Sequence, residues 1–188
     1  MATNFVERGY GQVEPNRLSG ITFGNIEAQA PAYFTDTLDS NTVKPIAELE
    51  NGRFLCVVAN SSVESPFGRI AVPVGEAAVT DTPYLVFSER KRYDERDSYC
   101  DFVDKAADKV DGMLFPRLVG LTPDSCIFTT NTIADSYNAS DHAVGNYLYI
   151  GDDGYLTKTK PVSNPNTTYR FLITQVTTMP DGQRALKL

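Results

Sequence analysis

Apolar residues occur along this chain in short runs separated by turn-forming residues, and few of the runs have helical spacing. Arg53–Ala59 (RFLCVVA) is nearly continuously apolar, the pattern of a strand buried on both faces or central in a small barrel. Asn51-Gly52 precedes it, and Asn-Gly is the preferred pair for a tight hairpin turn because both central residues need positive φ. Strand patterns recur at Arg69–Val74, where Pro73 predicts a sheet edge, and at Pro83–Ser88. They return from Met113 onward, at 113–115, 117–119 and Ser125–Thr130. Gly145–Lys158 holds two strand patterns around Asp152-Asp153-Gly154, which predicts a second hairpin. Thr168–Thr178 reads as one further strand, and Asp181-Gly182 turns the chain into Arg184–Leu188. The exception is Asp101–Val110. There Phe102, Ala106 and Val110 repeat every four residues and Asp101–Lys105 forms an i,i+4 pair, so one short helix is predicted, lying over a barrel mouth or a sheet edge.

Residues 1–45 follow neither period. Gly and Pro are scattered among Phe5, Tyr10, Phe23, Tyr33 and Phe34, too many aromatics for a plain flexible linker. The block reads as an extended N-terminal arm whose aromatics anchor in grooves of its own domain or of a neighbour. These five aromatics are the candidate interface residues, and deleting 1–40 is expected to leave a folded core. The core is expected over 46–188, as a mainly β unit, a small β-barrel or β-sandwich with the one short helix. It divides further into two small β subdomains, 46–112 and 113–188, if each hairpin marker heads its own unit.

Composition narrows the function. At 188 residues, 41% hydrophobic and 22% charged, the chain can bury a true core. Ten Tyr and ten Phe favour strands. The net charge of −7 argues against nucleic acid, whose binding needs a basic face, and against anionic membranes. No apolar run has spanning length, and the first residues do not read as a secretory signal, so a cytoplasmic site of synthesis is expected. Cys56, Cys100 and Cys126 are too few and too widely spaced for a disulfide framework; Cys56 and Cys126 sit in apolar runs and read as core residues.

Catalytic patterns are missing. His142 is the sole histidine, and its polar setting (SDHAVG) reads as an exposed loop. No zinc-ligand spacing, nucleophile elbow or phosphate-binding glycine motif occurs. Asp152-Asp153-Gly154 lacks the remaining oxygen ligands of a calcium loop and reads as a turn. A paired-carboxylate glycosidase is disfavoured by the short chain without Trp. The expectation is a protein that is not an enzyme and takes no cofactor and no metal.

Three segments together, Ala47–Phe54 (AELENGRF), Glu89–Arg96 (ERKRYDER) with Asp101-Phe102, and Gly145–Thr157 (GNYLYIGDDGYLT), resemble the capsid decoration, or cement, proteins of tailed bacteriophages, over residues 46–188. The resemblance implies a virion protein made in the host cytoplasm. It would sit on the outer capsid surface and stabilise the head by bridging major capsid subunits, as a homo-oligomer for which the family suggests a trimer. An adhesin of the head or tail-fibre type, binding a receptor or glycan, is the alternative.

Overall fold

The structure is a computed structural model that describes residues 5–14, 33–34, 48–59, 69–78, 81–88, 103–105, 116–121, 127–162 and 169–188. The protein is mainly β. Its strands are β1 (Tyr33–Phe34), β2 (Glu48–Leu49), β3 (Phe54–Ala59), β4 (Arg69–Pro73), β5 (Pro83–Val86), β6 (Asp104–Lys105), β7 (Leu118–Val119), β8 (Thr129–Thr130), β9 (Tyr147–Ile150), β10 (Leu156–Thr157), β11 (Arg170–Leu172), β12 (Gln175–Thr178) and β13 (Arg184–Lys187). The described pairing forms four sheets, ordered β1-β4-β3-β5-β7, β10-β9-β11, β12-β13-β8 and β2-β6.

β3 lies in the middle of the largest sheet, antiparallel to β4 and β5. Its period of two sends Phe54 and Cys56 to one side and Leu55 to the other, all fully buried. On the first side they meet Val72, Val74 and Leu85; on the second, Leu55 meets Ala71, Val86, Leu49 and Leu118. The unbroken apolar run therefore reflects burial on both faces. β4 is not an edge strand, because β1 pairs with it in parallel at Ile70 and Ala71. Pro73 is the last residue of β4, beyond the described β1 pairing at Ile70 and Ala71, where a strand end tolerates a missing N–H.

One core joins three sheets. Phe54 from the largest sheet, Phe171 from β11 and Phe128 beside β8 meet pairwise, with ring centroids 5.3, 5.7 and 6.4 Å apart. Leu148, Ile150, Leu156, Ile173 and Leu186 complete this core. A boundary at 112/113 does not separate two cores, because residues from both sides share this one. The N-terminal segment also enters it. Phe5 and Val13 are buried there, Val13 bridges Thr130 antiparallel, and the Glu14 N–H donates to Thr129 O at 2.9 Å. Residues 12–14 thus extend the β12-β13-β8 sheet by one more strand-like edge.

Two of the three turn markers make hairpins. Asp153-Gly154 joins β9 to β10, with Ile150 opposite Leu156, and Asp181-Gly182 joins β12 to β13, with Thr178 opposite Arg184. Gly154 and Gly182 have φ of 84° and 88°. Asn51-Gly52 also turns, with Gly52 at φ 89°, but it makes no hairpin: β2 pairs with β6, not with β3. The Asn51 side chain explains the divergence. It accepts from Ser88 N–H (2.7 Å) and donates to Ser88 O (3.1 Å), tying the turn to the end of β5.

The helix predicted over 101–110 is overturned where the chain is described. Asp104–Lys105 is a strand, with Lys105 opposite Glu48 in register and 3.7 Å from its carboxylate. Cross-strand charge pairing with buried Val103 and Leu49 nearby outweighs the local four-residue spacing. The rest of that segment lies outside the described residues. Among the described residues the helical content is a single 3-10 turn, Val74–Glu76. The strand expected over 168–178 is two strands. Ile173 N–H donates to Asn146 O on the β9 side and Thr174 N–H to Lys187 O on the β13 side, so the chain changes sheets between these residues.

Candidate binding surface

Of the five candidate interface residues, the side chains of Phe5 and Tyr10 are among those described. Phe5 is 1% exposed, its ring edge-on to Tyr137 and His142 at 5.6 and 5.0 Å, so it is a core residue of its own chain. The Tyr10 hydroxyl donates to Glu48 at 2.9 Å, and that bond, with burial and the nearby carboxylates, raises its pKa. Tyr33 and Phe34 are β1, paired with β4. Phe23 lies outside the described residues. The described parts of the arm are thus built into the domain.

His142 overturns its sequence reading as an exposed residue. It is fully buried. Its loop curls back so that His142 N–H donates to Asn138 O (2.9 Å), while Nδ1 lies 3.1 Å from Asn138 N and 3.0 Å from Asn138 O. Phe5 and Tyr137 enclose the ring, Tyr137 stacking 5.8 Å away. The sequence conceals this because the enclosing aromatic, Phe5, is 137 positions distant. Among the described residues no group of three or more His, Cys, Asp or Glu is placed to hold a metal, and no helix is long and apolar enough to cross a membrane.

A different surface carries the features of a contact site. The period of two on β9 sends Leu148 and Ile150 to the core and leaves Tyr147 and Tyr149 outward. Leu172 of β11 stands opposite Tyr147, and Arg170 stands opposite Tyr149 with its guanidinium 4.9 Å from the Tyr147 ring centre. Tyr147 and Leu172 are 39% and 43% exposed, large apolar side chains directly paired on an uncovered sheet face.

Beside this face runs an open groove of about 480 Å³, lined by Asp141, Gly145, Asn146, Tyr147, Tyr149, Lys158 and Thr159. Its far wall is held rigidly. Asn146 Nδ2 donates to Ser140 O and Asp141 O at 2.8 and 3.0 Å, and Asn138 Oδ1 accepts from Ser140 N–H and Oγ. Lys158 Nζ meets Asp141 Oδ2 at 2.5 Å. The ammonium holds the Asp141 carboxyl below the usual carboxylate range, and the carboxylate raises Lys158 in turn. Nothing in this arrangement activates a nucleophile; it offers two phenol rings, an ion pair and amide groups for binding. In the sequence Tyr147 and Tyr149 are strand-forming residues of the Gly145–Lys158 segment. The usable signal is their alternation with Leu148 and Ile150, whereas the Leu172 and Arg170 partners depend on a pairing the sequence does not display. No protein-family model, no curated protein and no solved structure matches this chain.

Proposed function

We propose that this chain is an accessory structural protein of a tailed-phage head, binding the outer capsid surface through the solvent face of the β10-β9-β11 sheet and bridging major capsid subunits. The paired, exposed Tyr147 and Leu172 beside Arg170 carry this reading, because aromatic and arginine anchors flanked by apolar contacts are what dominate protein interfaces. Support also comes from where the resemblance falls. Gly145–Thr157, its clearest segment, is the β9–β10 hairpin that presents this face. Repeated weak attachment over a symmetric shell adds up through effective concentration, so a small face suffices. The test is pelleting of the purified protein with capsids assembled without it. Wild type should saturate at a ratio set by shell symmetry, and a Tyr147→Ser, Leu172→Ser double variant with unchanged thermal unfolding should bind at least tenfold more weakly. Equal binding by the variant would sink the proposed face, and wild type remaining in the supernatant would sink the capsid reading.

The groove favours a second reading, an adhesin that binds glycan. Tyr147 and Tyr149 offer rings for stacking on sugar, and Asp141, Lys158 and Asn146 offer hydrogen bonds. Titration of the 15N-labelled protein with a neutral oligosaccharide such as chitotriose separates the two. Shifts confined to Asp141–Tyr149 and Lys158–Thr159 would support the adhesin, and a flat spectrum at millimolar sugar would count against it.

A further inference from the structure

We propose that β12 is a self-pairing edge: two copies of this chain join their β12 strands antiparallel across a two-fold axis, and the β12-β13-β8 sheet runs unbroken from one copy into the other. β12 ends its sheet, with β13 on one side only among the described residues. The alternation of antiparallel pairing says which of its backbone groups are committed. Phe128 and Leu188 exchange both of their backbone bonds, so on β13 Leu186 and Leu188 turn their backbones to β8, and Ala185 and Lys187 turn theirs to β12. The partners of these two, Thr177 and Gln175, therefore face inward, as Met179 does through its N–H to Gln183 O at 2.7 Å. The N–H and C=O groups of Val176 and Thr178 point away from the sheet. The same two residues are exposed, Val176 to 37%.

Open sheet edges are normally guarded, by cover or by charge. Other edges of this fold follow that rule. Leu118 and Val119 of β7 are buried, as are residues 12–14 beside β8. β10 is engaged on its far side, where Ala134 N–H donates to Leu156 O and Leu156 N–H to Thr132 O. β11 carries Arg170, and the β2-β6 pair carries Glu48 and Lys105. β12 has neither device: residues 171–180 contain no charged side chain, in a chain of net charge −7. That exception selects the occupant. Two acidic copies repel wherever their charged surfaces meet, and β12 is a stretch along which they can pair with no like charges opposed. The strand is also self-complementary. With Thr177 on the axis, Val176 of each copy lies opposite Thr178 of the other, and both are outward residues. Val176 N–H then donates to Thr178 O of the second copy, Thr178 N–H of the second copy donates to Val176 O, and the two-fold repeats both bonds. Val176 stands opposite buried Leu186 on the core side of the sheet, so pairing covers the exposed rim of each core. The ladder ends where Pro180 of one copy meets Thr174 of the other, because Pro180 has no N–H and Thr174 N–H is already given to Lys187 O.

The test is sedimentation equilibrium of the full chain from low micromolar to millimolar concentration, with amide hydrogen exchange along the same series. The mass should rise from one protomer to two and stop there. Protection at Val176 and Thr178 should rise with it, at least tenfold, while amides in the middle of β3 keep theirs. Val176→Pro removes an N–H that bonds nothing among the described residues, at an edge position that accepts proline, so the variant should fold and stay at one protomer. A single protomer at millimolar concentration overturns the proposal. So does a trimer, since an isologous contact closes a two-fold and not a three-fold. A dimer without protection at Val176 and Thr178, or one that persists in folded Val176→Pro, places the contact elsewhere and overturns it equally. Protection gained only when capsids are added assigns the edge to a foreign strand and also overturns self-pairing. If Val176→Pro does not fold, the wild-type mass and exchange series decides by itself.

Discussion

Gly154 and Gly182 share a backbone conformation but not an environment, and comparing them isolates what holds the β9–β10 hairpin to the largest sheet. Both have φ near 85°, where any L side chain is strained by about 1–2 kcal/mol. At Gly182 a methyl group would meet nothing within 4 Å. At Gly154 it would press into the Phe54 carbonyl oxygen, well inside the 3.0 Å that side-chain carbons respect. The tip of the hairpin would have to withdraw from β3. Withdrawal breaks the 2.8 Å bond from Phe54 N–H to Gly154 O, leaving a donor at a buried residue, a loss of about 1–3 kcal/mol. Repacking around the intruding group costs about 1–3 kcal/mol more. Even the low ends of these three contributions together come to about 3 kcal/mol. For a chain of this length each kcal/mol moves the thermal midpoint by about 2–4 °C. Gly182→Ala should therefore lower it by about 2–8 °C, and Gly154→Ala by about 6 °C at the least and up to about 32 °C. Circular dichroism melts of the two variants at one pH decide the matter. If Gly154→Ala melts within error of Gly182→Ala, the hairpin tip is not seated on β3 as described and the reasoning fails.

Removing residues 1–14 should not leave an intact core, contrary to the expectation that a deletion of 1–40 would, because Phe5 and Val13 go with it; urea denaturation should show a loss comparable to Phe5→Ala, about 3–5 kcal/mol. The Asp141 carboxyl should titrate below the usual range by NMR in wild type and return to it in Lys158→Met. Its folded value is lowered, so its contribution to stability is present above the ordinary carboxylate range and is lost as pH falls through the lowered value. The Tyr155 phenol is pushed upward chiefly by burial and secondly by its hydrogen bond with Glu50. Its stabilising effect is thus complete below pH 10 and lost only as pH rises far into the alkaline range, and in an ultraviolet alkaline titration its phenolate should appear together with unfolding, not before.

What the sequence discloses here is local, and what it conceals is pairing. Asn51-Gly52, Asp153-Gly154 and Asp181-Gly182 all turn because glycine at positive φ is a property of a few adjacent residues. Whether a turn closes a hairpin depends on partners far along the chain, and Asn51 has one: its amide fits Ser88, which steers β2 away from β3 and toward β6. The same distinction accounts for Asp104–Lys105, where spacing suited to a helix gives way to a strand once Glu48 lies opposite Lys105. It accounts for His142 as well. Its neighbours in sequence are polar and its neighbours in space are Phe5 and Tyr137, so a residue that reads as solvated is the most enclosed titratable group in its loop. The candidate surface lies between these cases. The alternation of Tyr147 and Tyr149 with Leu148 and Ile150 predicts an outward aromatic pair. Its conversion into a contact site needs Leu172 and Arg170, delivered by a strand that leaves the β9 sheet two residues later. That change of sheet at Ile173–Thr174 ends β11, where the backbone partners switch from β9 to β13. A partner docking here would meet Tyr147, Leu172 and Arg170 at once.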